Sequence, residues 1–440
     1  MKPCISYDVI GRLRIEKVYA TQLCEKLGTP LFVVCEDHLR ATFRKFRYEF
    51  CRAYDSVTVA YSYKTNWLPA ICSILNDEGA WAETTSLLEM QIANHVGVSP
   101  HKVILNGPAK TSDELQEAVR SRIGLINLDS LSELKRLQRI CRRLKMNCNV
   151  GVRVRPSFDS YLKRTKFGMS IENGEVESAC SVIARSKYLD FKGFHIHLGT
   201  QQLGVTPYLK AIEMLVKLAE RVLRSSGLQT EVLDLGGGFP ASGIREITSE
   251  TKRGVQVSLR RYAAEISKYL QQKVEDRGLL KPMMIVEPGR AIVSSPVILL
   301  TKVVAKKNAT PARDWIIVDA GLNVLPEAEY YVHQMRPSVT RTGGGLVNVA
   351  GPLCMAEDCL GFGRRLGNVK EGDIIAVLDA GAYSLSLSWQ FVKPRPAVCL
   401  LHRDKVKLIR RRETIRDVLS LDLPSTLKYR SCIKRLSVQK

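Results

Sequence analysis

Lys64 stands at the far end of an apolar, β-branched run, Val57-Thr-Val-Ala-Tyr-Ser-Tyr-Lys64-Thr-Asn66, with a helix-like segment beginning at Trp67. An ε-amine at the carboxyl end of a strand can condense with a carbonyl, and partial burial is expected to lower its pKa toward that use. Taken alone, such a lysine is ordinarily a solvated cation. Three downstream segments change that reading. Phe194-His-Ile-His-Leu-Gly-Thr-Gln201 ends a strand-like run with an imidazole, a glycine and a hydroxyl. Val232-Leu-Asp-Leu-Gly236-Gly237-Gly238-Phe-Pro240 ends another with bare backbone, whose N–H groups can approach an anion without Cβ obstruction. Met284-Ile-Val-Glu287-Pro-Gly-Arg290 ends a third with a carboxylate and a guanidinium.

The elements that must position these groups follow a βα rhythm from Leu31 to Pro288, with short apolar runs alternating with longer amphipathic segments. Strands are predicted at 31–35, 57–61, 103–105, 125–128, 149–154, 193–197, 232–235 and 284–287, and helices at 130–144 and 207–223 among others. Eight such repeats predict an α/β fold, a (β/α)8 TIM-like barrel. After Pro288 the spacing tightens to strands at 297–302, 315–319, 346–350, 374–378 and 397–401, separated by glycine and proline turns. That half predicts a mostly antiparallel β-sandwich or β-barrel domain. Thr342-Gly-Gly-Gly345 reads as a hairpin turn, and residues 424–440 as a basic tail.

With Gly351-Pro-Leu-Cys354 and Asp379-Ala-Gly-Ala-Tyr383 added, the chain resembles the pyridoxal-phosphate-dependent decarboxylases of the alanine-racemase-like fold. This is the diaminopimelate/ornithine decarboxylase superfamily, and the nearest branch is diaminopimelate decarboxylase. The motifs run in the family's order from about residue 29 to about residue 423. The resemblance implies a barrel over 29–290 that binds pyridoxal 5'-phosphate, and a β domain from 1–28 and 291–423. It implies that Lys64 bonds the cofactor aldehyde, that His197 lies over the ring, and that Glu287 keeps the pyridine nitrogen protonated. Gly236, Gly237 and Gly238 would receive the phosphate with Thr200 and Arg290, and Tyr383 would close over it. Cys354 would reach the site of a second subunit and protonate the carbanion, which makes a homodimer with shared sites the expected assembly. His195, on the same strand face as His197, is left as a hydrogen-bonded core residue.

Departures from the family cluster at the far end of the expected substrate pocket, where Met355, Asp358, Glu327 and Tyr331 are the candidate lining residues. Met355 replaces the acid that follows the cysteine in diaminopimelate and ornithine decarboxylases, Tyr331 stands at a second acidic position, and Glu327 replaces an arginine. A buried ammonium without a carboxylate loses several kcal/mol. The expected substrate is therefore an amino acid whose distal group is acylated or carried by an acidic carrier protein, as in siderophore or secondary-metabolite biosynthesis, and not a free diamino acid. Two alternatives stand beside α-decarboxylation: a racemase or epimerase of the same fold, disfavoured by Glu287, and a non-catalytic regulator, disfavoured by the complete cofactor set.

Composition bounds these readings. The chain has 440 residues, is 45% apolar, and carries a net charge of 66 − 44 = +22. No apolar stretch approaches the roughly 18 residues of a membrane helix, and no signal peptide opens the chain, so a cytoplasmic protein is expected. Twelve cysteines without zinc-type spacing are expected to be reduced, and no metal site is expected. The basic excess is spread along the chain without a nucleic-acid motif, and attraction of anionic substrates fits it better than specific nucleic-acid binding.

Overall fold

The computed structural model describes residues 4–156, 158, 165–241, 243–247, 258–307 and 314–422; the expected tail at 424–440 lies outside them. Eight parallel strands close a barrel in chain order: β1 (Val57–Ser62), β2 (Trp81–Thr84), β3 (Val103–Leu105), β4 (Leu125–Leu128), β5 (Cys148–Arg153), β6 (Leu189–His195), β7 (Val232–Asp234) and β8 (Met283–Val286). Register closes between Val57 and Met284. Side chains two apart share a face, and the interior is layered accordingly. Ala60, Ile104, Leu125, Val232 and Ile285 form an apolar plug with Trp81 and Met283. Two residues further along their strands stand Ser62, Asn106, Asn127, Asp234 and Glu287, with Glu83 after Trp81, all buried. Six of the eight strands thus present a polar group at the carboxyl mouth, where barrel chemistry is placed.

The count of eight was expected, but one member differs. Leu31–Cys35 does not open the barrel; it pairs with Val297–Lys307 and Ala397–His402 in the sheet of the second domain. A strand buried on both faces reads as a continuous apolar run in any sheet, so periodicity cannot assign it to one. The true second strand, Trp81–Thr84, escaped notice because a glutamate and a threonine end it. The first barrel strand therefore follows the helix Glu36–Ala53. That helix buries Leu39, Phe43, Phe46 and Phe50 at helical spacing.

In the second domain the strand Val297–Lys307 lies antiparallel to Asp314–Val318, Ile374–Val377 and Leu31–Cys35. Leu346–Ala350 and Cys359–Arg365 extend one side and Lys405–Arg410 the other. The small sheet Ile5–Tyr7, Leu13–Ile15 and Val18–Tyr19 packs Leu13 and Ile15 against the same core. The 342–345 segment is not a hairpin, because the strands it joins, Met335–Pro337 and Leu346–Ala350, pair with different neighbours.

The domains meet at the residues that follow Lys64. Asn66 Nδ2 donates to Gly381 O at 2.9 Å, Tyr383 N to Thr65 O at 2.8 Å and Ser386 Oγ to Thr65 O at 3.1 Å. These bonds carry Tyr383 to the barrel mouth. No helix among the described residues is long and apolar enough to cross a membrane.

Candidate active site

Lys64 lies in a short 3-10 turn directly after β1, and its Nζ donates to Glu83 Oε2 at 2.5 Å. Glu83 Oε1 accepts from Asn106 Nδ2 at 3.0 Å, and the same amide donates to Glu287 Oε1 at 2.7 Å. A single asparagine therefore joins the lysine's carboxylate partner to Glu287, and Lys64 and Glu287 line one cavity. Asn127 Nδ2 donates to Asn106 Oδ1 at 2.9 Å and to Asp234 Oδ2 at 3.2 Å. His195 Nε2 lies 3.5 Å from Glu287 Oε2.

The protonation pattern follows from burial and neighbours. Burial pushes the Asp234 carboxyl well above its usual range, and the adjacent Glu287 charge adds to this. Burial would raise Glu287 as well, but His195 and the Lys64 cation outweigh it and keep Glu287 ionised. Ligand atoms of His195, Asp234 and Glu287 lie within 4.8 Å of one another, and Asn106 and Asn127 donate to the two carboxylates.

Lys64 departs from expectation. Burial works to lower its pKa, but Glu83, then Tyr383 and Glu287, raise it above the ordinary lysine value. The lysine is held as a paired cation, not released as a free amine.

The two histidines also separate. His195 ends β6 inside the barrel, fully buried. His197 lies beyond the strand and faces the Lys64 cavity. Its Nδ1 accepts from Gly237 N–H at 3.1 Å, which places the ring proton on Nε2. Burial and the Lys64 charge push its pKa down to about 3, so the imidazole is neutral.

The glycine loop is anchored by aromatic packing. Phe239 stacks on Tyr208 with centroids 5.0 Å apart and meets Phe46 and Phe50 edge-on at 5.2 and 5.4 Å. Tyr208 Oη donates to Gly237 O at 3.0 Å. A Cβ at Gly237 would lie 2.7 Å from Glu287 O, and one at Gly238 2.7 Å from Gly199 O. Not all three N–H groups are available to an anion: Gly236 donates to Asp234 Oδ1 at 3.0 Å and Gly237 to His197. Gly238, with exposed Thr200 beside it, is left for that task.

Outside this recess lies a cavity of about 550 Å³ that shares Thr200, Arg290 and Tyr383 with it and adds Glu327, Tyr331, Leu387 and others. Arg290 is ion-paired with Glu327, both nearly buried, and its guanidinium lies 4.4 Å from the Tyr331 ring centroid and 5.1 Å from that of Tyr383. Arg290 thus lines both cavities, and the pairing commits Glu327 to it.

Neither Cys354 nor Met355 lines either cavity; both are exposed on the second domain. Asp358 is not a pocket residue: it is buried, and its two oxygens accept from Leu322 N and Leu353 N, each at 2.7 Å, bracing the loop that presents Cys354. Sequence reasoning missed Glu83, Asn106, Asn127 and Asp234. The available signal was a polar residue two positions past the inward apolar one on each strand.

These residues fit pyridoxal phosphate. The recess offers an amine at Lys64, an ionised acid at Glu287, a neutral ring at His197, and a cradle at Gly237 and Gly238 that a Cβ would fill. Thr65 Oγ1, buried in its wall, lacks a hydrogen-bond partner among the described residues.

Comparison with known proteins agrees. Residues 36–294 match the profile of the pyridoxal-dependent decarboxylase pyridoxal binding domain. Diaminopimelate decarboxylase of Methanocaldococcus jannaschii is 30% identical, covering 94% of this chain and 95% of its own. That of Methanothermobacter thermautotrophicus is 32% identical, covering 95% and 97%. The crystal structure of the M. jannaschii diaminopimelate decarboxylase in complex with L-lysine superposes with a TM-score of 0.88 at 29% identity, over 95% of this chain and 97% of that one.

Proposed function

This chain belongs to the pyridoxal-dependent decarboxylases, and from that membership we propose that it removes the α-carboxylate of an amino acid whose distal group is acylated or conjugated. Pyridoxal phosphate, when bound, supplies the electron sink that accepts the pair left when carbon dioxide departs. Around it the chain's own groups divide the work. Lys64 would hold the cofactor through its ε-amine. Glu287, kept ionised by His195 and Lys64, would favour a protonated pyridine nitrogen, and Asp234, raised by burial, would add little competing negative charge. Neutral His197, fixed by Gly237, would offer a flat face to the ring.

The observation that carries the substrate reading is the buried Arg290–Glu327 pair. An arginine neutralised by its own glutamate is a poor anchor for a distal carboxylate, and a glutamate so engaged is a poor anchor for a distal ammonium. Tyr331 and Leu387 in the same cavity suit an extended, uncharged linkage, while Glu329, exposed in its lining, adds one carboxylate there. Carbon dioxide release is to be measured with meso-diaminopimelate, lysine and ornithine against their N-acylated and carrier-bound forms. The conjugated forms are expected to be the better substrates; a kcat/KM highest for a free diamino acid rejects the proposal.

Exposure of Cys354 away from its own cavities supports a second reading, in which it serves as proton donor in the site of a second copy. Lys64→Ala and Cys354→Ser, each inactive alone, are then expected to recover about a quarter of wild-type activity when co-refolded, as random pairing dictates. No recovery on mixing counts against shared sites.

A further inference from the structure

The geometry points to a second ligand site, for a small carboxylate- or phosphate-bearing anion, in a cavity on the far side of the segment that follows Lys64. This cavity, of about 410 Å³, lies between the barrel and the second domain and is lined by Trp67, Ser386, Arg395, Arg410, Arg411 and two acids.

Its charged walls are paired, with one exception. Arg395 donates to Glu413 Oε1 at 3.1 Å and to Ser388 O at 3.0 Å. Glu413 also takes Gln390 Nε2 at 2.9 Å, and Arg411 grips both oxygens of Asp417. Arg410 has no hydrogen-bonded or ion-paired acid among the described residues; its guanidinium lies 5.6 Å from the Trp67 ring centroid. Three arginines against two acids leave 3 − 2 = +1 in the cavity.

A mostly buried guanidinium without an acid is costly, and an oxyanion relieves the cost. Burial and then Arg395 depress the Arg410 pKa against a smaller opposing pull from Glu413, whereas the ion-paired Arg40, Arg341 and Arg411 are raised. The guanidinium fork matches a carboxylate or phosphate, and the Trp67 face accepts an apolar portion of the same molecule. Glu413 and Asp417 are held by their own arginines and are not free to oppose it. The site is also connected to the chemistry. Trp67 is three residues past Lys64, and Ser386 is bonded to Thr65, which in turn takes the Tyr383 amide. An occupant bears on the strap that joins the lysine to the tyrosine over the cofactor. The inference is independent of which amino acid is decarboxylated.

The test uses protein saturated with pyridoxal phosphate and exchanged into phosphate-free buffer. It is titrated calorimetrically with inorganic phosphate and, separately, with citrate, while visible absorbance reports cofactor retention. One of the two anions is expected to bind once per chain, to raise the melting temperature, and to leave the cofactor in place. Arg410→Gln is expected to weaken that binding about tenfold or more, Arg410→Lys less, and Arg416→Gln, outside the cavity, not at all. Before any anion is added, Arg410→Gln is expected to melt no lower than wild type, since an unpaired charge has been removed. The better anion identifies the ligand class as phosphate or carboxylate. Equal binding by wild type and both Arg410 variants, displacement of the cofactor, or no binding of either anion up to about 10 mM overturns the assignment.

Discussion

Glu327→Gln separates the charge of Glu327 from its shape. The buried pair at the mouth has a glutamate whose side chain is 9% exposed and an arginine at 6%. At an effective dielectric near 20, unit charges about 4 Å apart interact by about 4 kcal/mol, much of it offset by desolvation. Glutamine keeps an acceptor oxygen for Arg290, so the stability cost is about 1–2 kcal/mol. The larger effect is on recognition, because the mouth gains one unit of positive charge and Arg290 becomes able to receive a substrate carboxylate. A charge-assisted hydrogen bond of about 1.5–3 kcal/mol corresponds to roughly 10- to 100-fold. meso-Diaminopimelate and lysine differ only by the distal carboxylate, so the ratio of their kcat/KM values isolates this contact. In Glu327→Gln the ratio is expected to rise by that factor. Where turnover is slow, the same ratio is read from dissociation constants using the cofactor's visible absorbance. A folded variant whose ratio is unchanged or lower would refute the argument that Glu327 neutralises Arg290.

Three further outcomes are expected. Glu83→Gln removes the carboxylate that raises the Lys64 pKa, so cofactor capture by the cofactor-free protein, followed by absorbance, is expected to reach its half-maximum at lower pH than in wild type; an unshifted profile counts against Glu83 as the group that holds the lysine charged. His333 is buried with its pKa pushed down to about 4 from 6.5, so the unfolded chain binds the extra proton between those values. Its stabilising contribution, at most about 3 kcal/mol, is complete above pH 6.5 and is lost as pH falls to 4. Melting temperatures of His333→Gln are accordingly expected to depend less on pH across that window, and an equal slope contradicts this. Phe239→Ala empties the aromatic anchor of the glycine loop, at an expected cost of about 3–5 kcal/mol, with faster loss of pyridoxal phosphate on dilution; a destabilised variant that retains the cofactor as wild type does would show the loop is held otherwise.

The sequence by itself determined the strands that carry Lys64, His197, the glycine loop and Glu287, because each ends an apolar run in a group with distinctive chemistry, and local pattern suffices for that. It also set the two-part division into βα repeats and closely spaced strands. Tertiary structure alone decided which sheet received Leu31–Cys35, since a run buried on both faces carries no label for its neighbours. It alone brought Glu83 to Lys64 and Asn106 between Glu83 and Glu287, across strands far apart in the chain. Those contacts reversed the expected direction of the Lys64 pKa, and the meeting of the two domains joined Arg290 to Glu327. Proton affinity and ion pairing depend on distances between groups that one-dimensional order leaves free, and closure of the barrel fixes those distances.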